Sequence, residues 1–119
     1  CSVTLFSPWN KQHNIHPQVM IDGRLLEQKK NPKILGVIFD PGLSFHANVK
    51  NSVIKARSRS NVMKGISGTD WGQQKETMLM TFLAFLRPIL EYASSVWCTM
   101  ISDTSYESLQ RVQNNALRL

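Results

Sequence analysis

The sequence predicts an α+β fold, in which a β-hairpin or small antiparallel sheet precedes a three-helix bundle. Three observations predict it. At the start, Val3 and Leu5 alternate with Ser2 and Thr4, the period of a half-buried strand. Asp22-Gly23 lies between short apolar runs and signals a hairpin, because both central residues of a type I′ turn need positive φ. Beyond Pro41-Gly42 the apolar residues recur every three or four positions, the period of a helix. The expected boundary divides residues 1–41 from residues 42–119.

Within the β part, residues 1–6 read as a strand and residues 7–17 as a polar loop with two prolines. Val19-Met20-Ile21 and Arg24-Leu25-Leu26 are the arms of the Asp22-Gly23 hairpin. Asn31-Pro32 breaks the chain, and Lys33-Ile34-Leu35-Gly36-Val37-Ile38-Phe39-Asp40 reads as the most apolar strand.

In the helical part, Ser44 is the expected N-cap of a first helix over residues 45–66. Phe45, Val49, Val53, Ala56, Ser60 and Met63 form its inner stripe, and Ser67-Gly68 ends it. A second helix over residues 73–98 is apolar on nearly all sides, which predicts a buried helix. Pro88 predicts a kink or break in it. Thr104-x-x-Glu107 reads as a capping box opening a third helix, whose inner face is Leu109, Val112, Gln113 and Ala116.

Charge points to a polyanionic partner. The 119 residues carry 14 Lys+Arg against 8 Asp+Glu, a formal net charge of +6, and nucleic acid is the commonest such partner. Two cysteines, Cys1 and Cys98, have no spacing that suggests a disulfide framework or a zinc site. Cys98 is expected as a buried thiol in a reducing compartment. No signal peptide is visible. The most apolar stretch, residues 77–86, stops at Arg87-Pro88, too short to span a bilayer, so no membrane is expected. The start on a strand without Met and the end inside a helical pattern read as an excerpt of a longer polypeptide.

Four segments in order carry a resemblance. They are Cys1-Ser2-Val3-Thr4-Leu5-Phe6-Ser7, the Leu35-Gly36-Val37 strand, Leu86-Arg87-Pro88-Ile89-Leu90-Glu91-Tyr92-Ala93-Ser94-Ser95-Val96-Trp97, and Leu109-Gln110-Arg111-Val112-Gln113-Asn114-Asn115-Ala116-Leu117-Arg118. Together the set resembles the reverse transcriptases of non-LTR (LINE-like) retrotransposons, most closely the jockey-like group, and spans nearly the whole chain. It departs from the family at Asn115, where lysine is usual. The resemblance implies that residues 1–41 are the end of a polymerase palm with its primer-grip strands. It implies that residues 42–119 are the thumb. The parent would be an RNA-directed DNA polymerase working inside the cell, in nucleus and cytoplasm, on an RNA template and a DNA primer. Its Mg2+ ions would sit on an Asp-Asp hairpin upstream, because no such pair occurs here. The fragment is therefore expected to be non-catalytic and to hold no metal of its own.

The expected site residues follow from both lines. The resemblance implies that Leu35 and Gly36 grip the primer, and glycine permits close backbone approach. Lys50, Arg57 and Lys64 recur every seven residues along one flank of the first helix, where they would reach phosphates without reading sequence. Lys55 and Arg59 line the other flank. A charge run of this kind is also what a solvated helix face looks like. Of the tryptophans, Trp9 is expected to be exposed, and Trp71 and Trp97 to be core or interface anchors. His13-x-x-His16 lacks further ligands at metal spacing. Two other readings stay open: a standalone nucleic-acid-binding module, and a non-enzymatic helical interaction domain from a decayed element.

Overall fold

A computed structural model describes residues 1–68 and 73–118. It is of mixed α and β composition, with short strands first and helices after. The chain divides into two compact units, Cys1–Asn48 and Val49–Leu119.

In the first unit the strands are two residues each: β1 (Ser2–Val3), β2 (Met20–Ile21), β3 (Arg24–Leu25), β4 (Glu27–Gln28), β5 (Lys33–Ile34) and β6 (Val37–Ile38). The expected hairpin is present, and among the described residues no ladder exceeds two strands. The strands pair in three separate ladders: β2 with β3 and β5 with β6 antiparallel, β1 with β4 parallel. The Asp22-Gly23 turn is as expected, with φ of 50° and 74° joining Ile21 to its partner Arg24.

The reading of residues 33–40 as one strand is corrected. Leu35 and Gly36 have φ of 48° and 89°, and they turn the chain between β5 and β6, pairing Ile34 with Val37. Two consecutive positive φ values make this a second type I′ hairpin. Glycine adopts such a φ freely, whereas leucine there costs about 1 kcal/mol. The run of apolar letters hid a turn that has Leu35 where Asn or Asp is usual. The polar loop at residues 7–17 also contains a 3-10 turn, Asn10–Asn14.

Little apolar surface holds this unit. Val37 and Phe45 are buried, beside the polar Ser7 and Asn48. Phe6, Phe39 and Phe45 form an edge-to-face row, with centroids 6.2 and 5.3 Å apart. Asp40 organises the exit from the hairpin. Leu43 N–H closes a turn onto the Asp40 carbonyl at 2.9 Å, with Pro41 at the second position. The carboxylate accepts from Ser44 N–H (2.9 Å), Ser44 Oγ–H (2.8 Å) and Phe45 N–H (2.6 Å). These bonds hold Leu43 and Phe45, both at φ 54°, in the left-handed region. Ser44 therefore does not cap the first helix. Its hydroxyl is directed at Asp40, and α1 (His46–Ile66) begins after Phe45. Asn48, in its first turn, accepts from Ile38 N–H at 3.1 Å.

In the second unit, Val49, Val53, Ala56, Ser60 and Met63 are buried along α1, the stripe read from the sequence. The second helical stretch is subdivided into α2 (Lys75–Thr81), a π-helical turn (Phe82–Leu86), α3 (Arg87–Glu91) and α4 (Ser94–Trp97). The π turn lies just ahead of Pro88, which has no N–H to donate to Ala84. Arg87 N–H bonds instead to the Phe82 carbonyl, five residues back. The break itself comes later than Pro88, at Tyr92-Ala93, where Ala93 has φ 52°. Trp97 Nε1–H donates to the Tyr92 carbonyl at 2.9 Å, so the buried indole satisfies a carbonyl at that helix end.

The composition of this stretch predicted burial on all sides, and the structure corrects that. Phe82, Leu86, Leu90 and Trp97 are buried, whereas Leu79, Met80, Leu83, Phe85 and Val96 are exposed. Cys98 is exposed rather than a buried thiol. The helical run also continues through Arg87 and Pro88, so Lys75–Trp97 is long and apolar enough to cross a membrane by length and composition. Arg87 and Glu91 form an exposed i,i+4 ion pair within that run. The last helix, α5 (Asp103–Leu117), is capped by Ser102 and not by Thr104. The Ser102 hydroxyl accepts from Ser105 N–H at 3.4 Å, and Glu107 pairs with Arg111 instead of closing a capping box. Its buried face is Ser105, Val112 and Ala116, while Gln113 faces solvent.

Candidate nucleic-acid interface

The five residues expected to meet nucleic acid fall on two features, one in each unit. In the first unit, Leu35 and Gly36 are the tip of the β5–β6 hairpin. Leu35 is 88% exposed, the most exposed of the large apolar side chains among the described residues. The interior position implied by a strand is therefore replaced by a projecting one. Val37, two residues on and paired with Ile34 beside the turn, is buried, and Phe39 N–H donates to the Pro32 carbonyl at 3.0 Å.

In the second unit, Lys50, Arg57 and Lys64 are exposed along α1. Seven residues make nearly two helical turns, so they advance together along one side at intervals of about 10.5 Å. The row flanks the buried stripe, so the helix packs inward while three cationic heads stand in water. None of the three is paired with a carboxylate among the described residues. On the other flank the two basic residues differ. Lys55 is exposed, whereas Arg59 lies over the Phe85 ring, its guanidinium carbon 4.6 Å from the centroid. Arg59 is thus engaged as a cation–π partner within the unit.

The other chemistry-bearing residues are occupied separately. His13 Nε2 hydrogen-bonds the Ser7 carbonyl at 2.8 Å, and His16 Nδ1 meets Gln28 Oε1, so the two rings turn to different partners. Among the described residues no three His, Cys, Asp or Glu side chains gather as a metal site. Burial raises the Asp40 pKa, but the bonds from Ser44 and Phe45 outweigh it and leave the carboxyl below its ordinary 3.8. Asp40 is a structural anion. Trp9 is exposed and Trp97 is a core anchor, 2% exposed. Trp71 lies outside the described residues.

A second cationic group was missed by the sequence reading. Lys29 and Lys33 line a cleft of about 360 Å³ in the first unit, with Ser2, Thr4, Phe6, Pro32 and Ile34. Lys29-Lys30-Asn31-Pro32-Lys33 is a visible basic run. What the letters did not reveal is that β1 lies opposite it. No family model, curated protein or solved structure matches this chain.

Proposed function

We infer that this chain is the end of the palm and the thumb of an RNA-directed DNA polymerase from a non-LTR retrotransposon, and that it positions an RNA–DNA template–primer duplex for catalytic residues supplied by the parent polypeptide. The order of the four resembling segments supports the family. The single observation that carries the binding role is the exposed row Lys50, Arg57, Lys64 beside the buried stripe of α1. The projecting Leu35-Gly36 tip supports a grip on the primer backbone, since a positive-φ turn brings main chain close to a phosphate. In this reading the fragment orients and holds, and the proton and metal chemistry belongs elsewhere.

The test is salt-dependent binding of an RNA–DNA hybrid by the whole chain. Each phosphate contact contributes a slope of about −0.9 in log K against log salt, so three contacts predict about −2.7 from this row. Lys50→Gln, Arg57→Gln and Lys64→Gln together should flatten the slope by that amount. An absence of hybrid binding at about 50 mM salt, or an unchanged slope in the triple variant, overturns the reading.

A second reading, a helical interaction domain without nucleic acid, is favoured by a different observation. Leu79, Met80, Leu83 and Phe85 expose apolar surface along α2 and the π turn, which is more than a solvated helix needs. Loss of hybrid binding in the wild-type chain would favour it.

A further inference from the structure

The cleft in the first unit is built from two walls of different chemistry. One is the extended segment around β1, where a period of two places Ser2, Thr4 and Phe6 on one face. The other is the segment Lys29, Pro32, Lys33 and Ile34. The walls are tied at their base. Lys29 N–H donates to the Val3 carbonyl at 2.9 Å, and Thr4 Oγ–H donates to the Lys29 carbonyl at 2.7 Å. The parallel pairing of Ser2 with Glu27 and Val3 with Gln28 continues that seam. The backbones of both walls are thereby fixed while the lysine side chains remain exposed. Neither Lys29 nor Lys33 is paired with a carboxylate among the described residues.

The two ends of the cleft differ. Ammonium groups and hydroxyls suit a phosphodiester. Phe6, 40% exposed with its edge-to-face partner Phe39 behind it, and Ile34 offer an apolar surface of the kind on which a base stacks. At about 360 Å³ the cleft has the size of a small-ligand pocket and is far too small for a duplex.

We propose that this cleft is a single-stranded nucleic-acid site, in which Lys29 and Lys33 hold a backbone phosphate and Phe6 stacks the adjoining base. The site is separate from the duplex grip, because it uses neither the Leu35-Gly36 tip nor the α1 row. It gives the chain a place for an unpaired strand in addition to the residues that would hold a paired one.

The experiment measures binding of a fluorescent oligothymidylate octamer and of an RNA–DNA hybrid by the whole chain at about 50 mM salt. Lys29→Glu with Lys33→Glu should weaken octamer binding at least tenfold and leave hybrid binding within about twofold. Lys11→Glu with Arg24→Glu makes the same charge change on exposed residues outside the cleft, and should weaken the octamer several-fold less. Phe6→Ala should cost about tenfold, and Phe6→Trp should restore binding. Thymidine monophosphate should bind at least tenfold more weakly than the octamer. Thermal melts of each variant establish that the fold is kept, and Lys29→Gln with Lys33→Gln serves if the charge reversal melts early. Equal losses in the cleft and control variants, equal losses on octamer and hybrid, or equal affinity for monophosphate and octamer would each overturn the proposal. Failure of the duplex reading is distinct: hybrid binding is then absent or insensitive to the α1 row, whatever the octamer does.

Discussion

The two units are specified in different ways. In Val49–Leu119, structure follows from periodic burial: valines, leucines, a methionine and a tryptophan at helical spacing remove apolar surface from water. In Cys1–Asn48, Val37 and Phe45 are buried alongside polar Ser7 and Asn48, and shape is set by single residues at turns. Asp22-Gly23 and Leu35-Gly36 reverse the chain through positive φ, and one carboxylate, Asp40, gathers three donors to hold the next strained segment. The lesson is that the helical unit spreads its stability over many contacts, whereas the strand unit concentrates it at a few positions.

Four substitutions would break or sharpen that contrast. The largest effect is expected for Trp97→Ala. Removing a side chain that is 2% exposed and hydrogen-bonded to Tyr92 should cost about 3–5 kcal/mol, read as a drop in the denaturant midpoint of the helical signal. Asp40→Asn comes next. It replaces a charged acceptor with an amide that cannot satisfy all three donors, so a loss of about 1–3 kcal/mol is expected, read by hydrogen exchange at the Phe45 amide. Because the native carboxyl titrates below its ordinary 3.8, its contribution is present above that value and is lost as pH falls through the lower native value. The wild type should therefore lose protection at Phe45 below about pH 4, and Asp40→Asn should remove that dependence. Gly36→Val is smaller. A β-branched residue at φ 89° should cost about 1–2 kcal/mol, seen as faster proteolysis at the β5–β6 hairpin with the helical melt unchanged. The smallest change is a gain. Ala93→Gly relieves a left-handed alanine at φ 52° and should raise the melting temperature by a few degrees, equivalent to about 1 kcal/mol less the entropy of glycine. If Asp40→Asn and Gly36→Val lowered the helical melt as much as Trp97→Ala does, the contrast between distributed and concentrated stability would fail.

Legibility in the sequence followed the same division. The α1 stripe was readable because five buried positions repeat at helical spacing, and the Asp22-Gly23 hairpin because its residues are the usual ones for the turn. Leu35-Gly36 was not readable as a turn, because leucine seldom takes positive φ and an apolar run suggests a strand. Ser44 fits an N-cap by residue type, but the carboxylate of Asp40 competes for its hydroxyl. The exposed face of residues 75–97 was hidden because apolar composition does not say which sides a helix covers. Of the candidate site, the basic row on α1 was visible from its seven-residue spacing. The cleft was not, since it depends on a parallel pairing between residues twenty-five apart.

The wide turn at Phe82–Leu86 has a geometric consequence. In a regular α-helix each four-residue step overshoots a full revolution by about 40°, so the apolar positions 82, 86 and 90 would drift around the axis. A turn closed by bonds five residues back takes more residues per revolution and subtracts from that overshoot. Phe82, Leu86 and Leu90 can thus share one azimuth and are all buried. The residue that lacks an amide hydrogen, Pro88, thereby corrects the angular phase of the rod ahead of it, and a single-residue deletion within the wide turn would let it close as a regular α turn with little rotation of Lys75–Thr81 relative to Leu90.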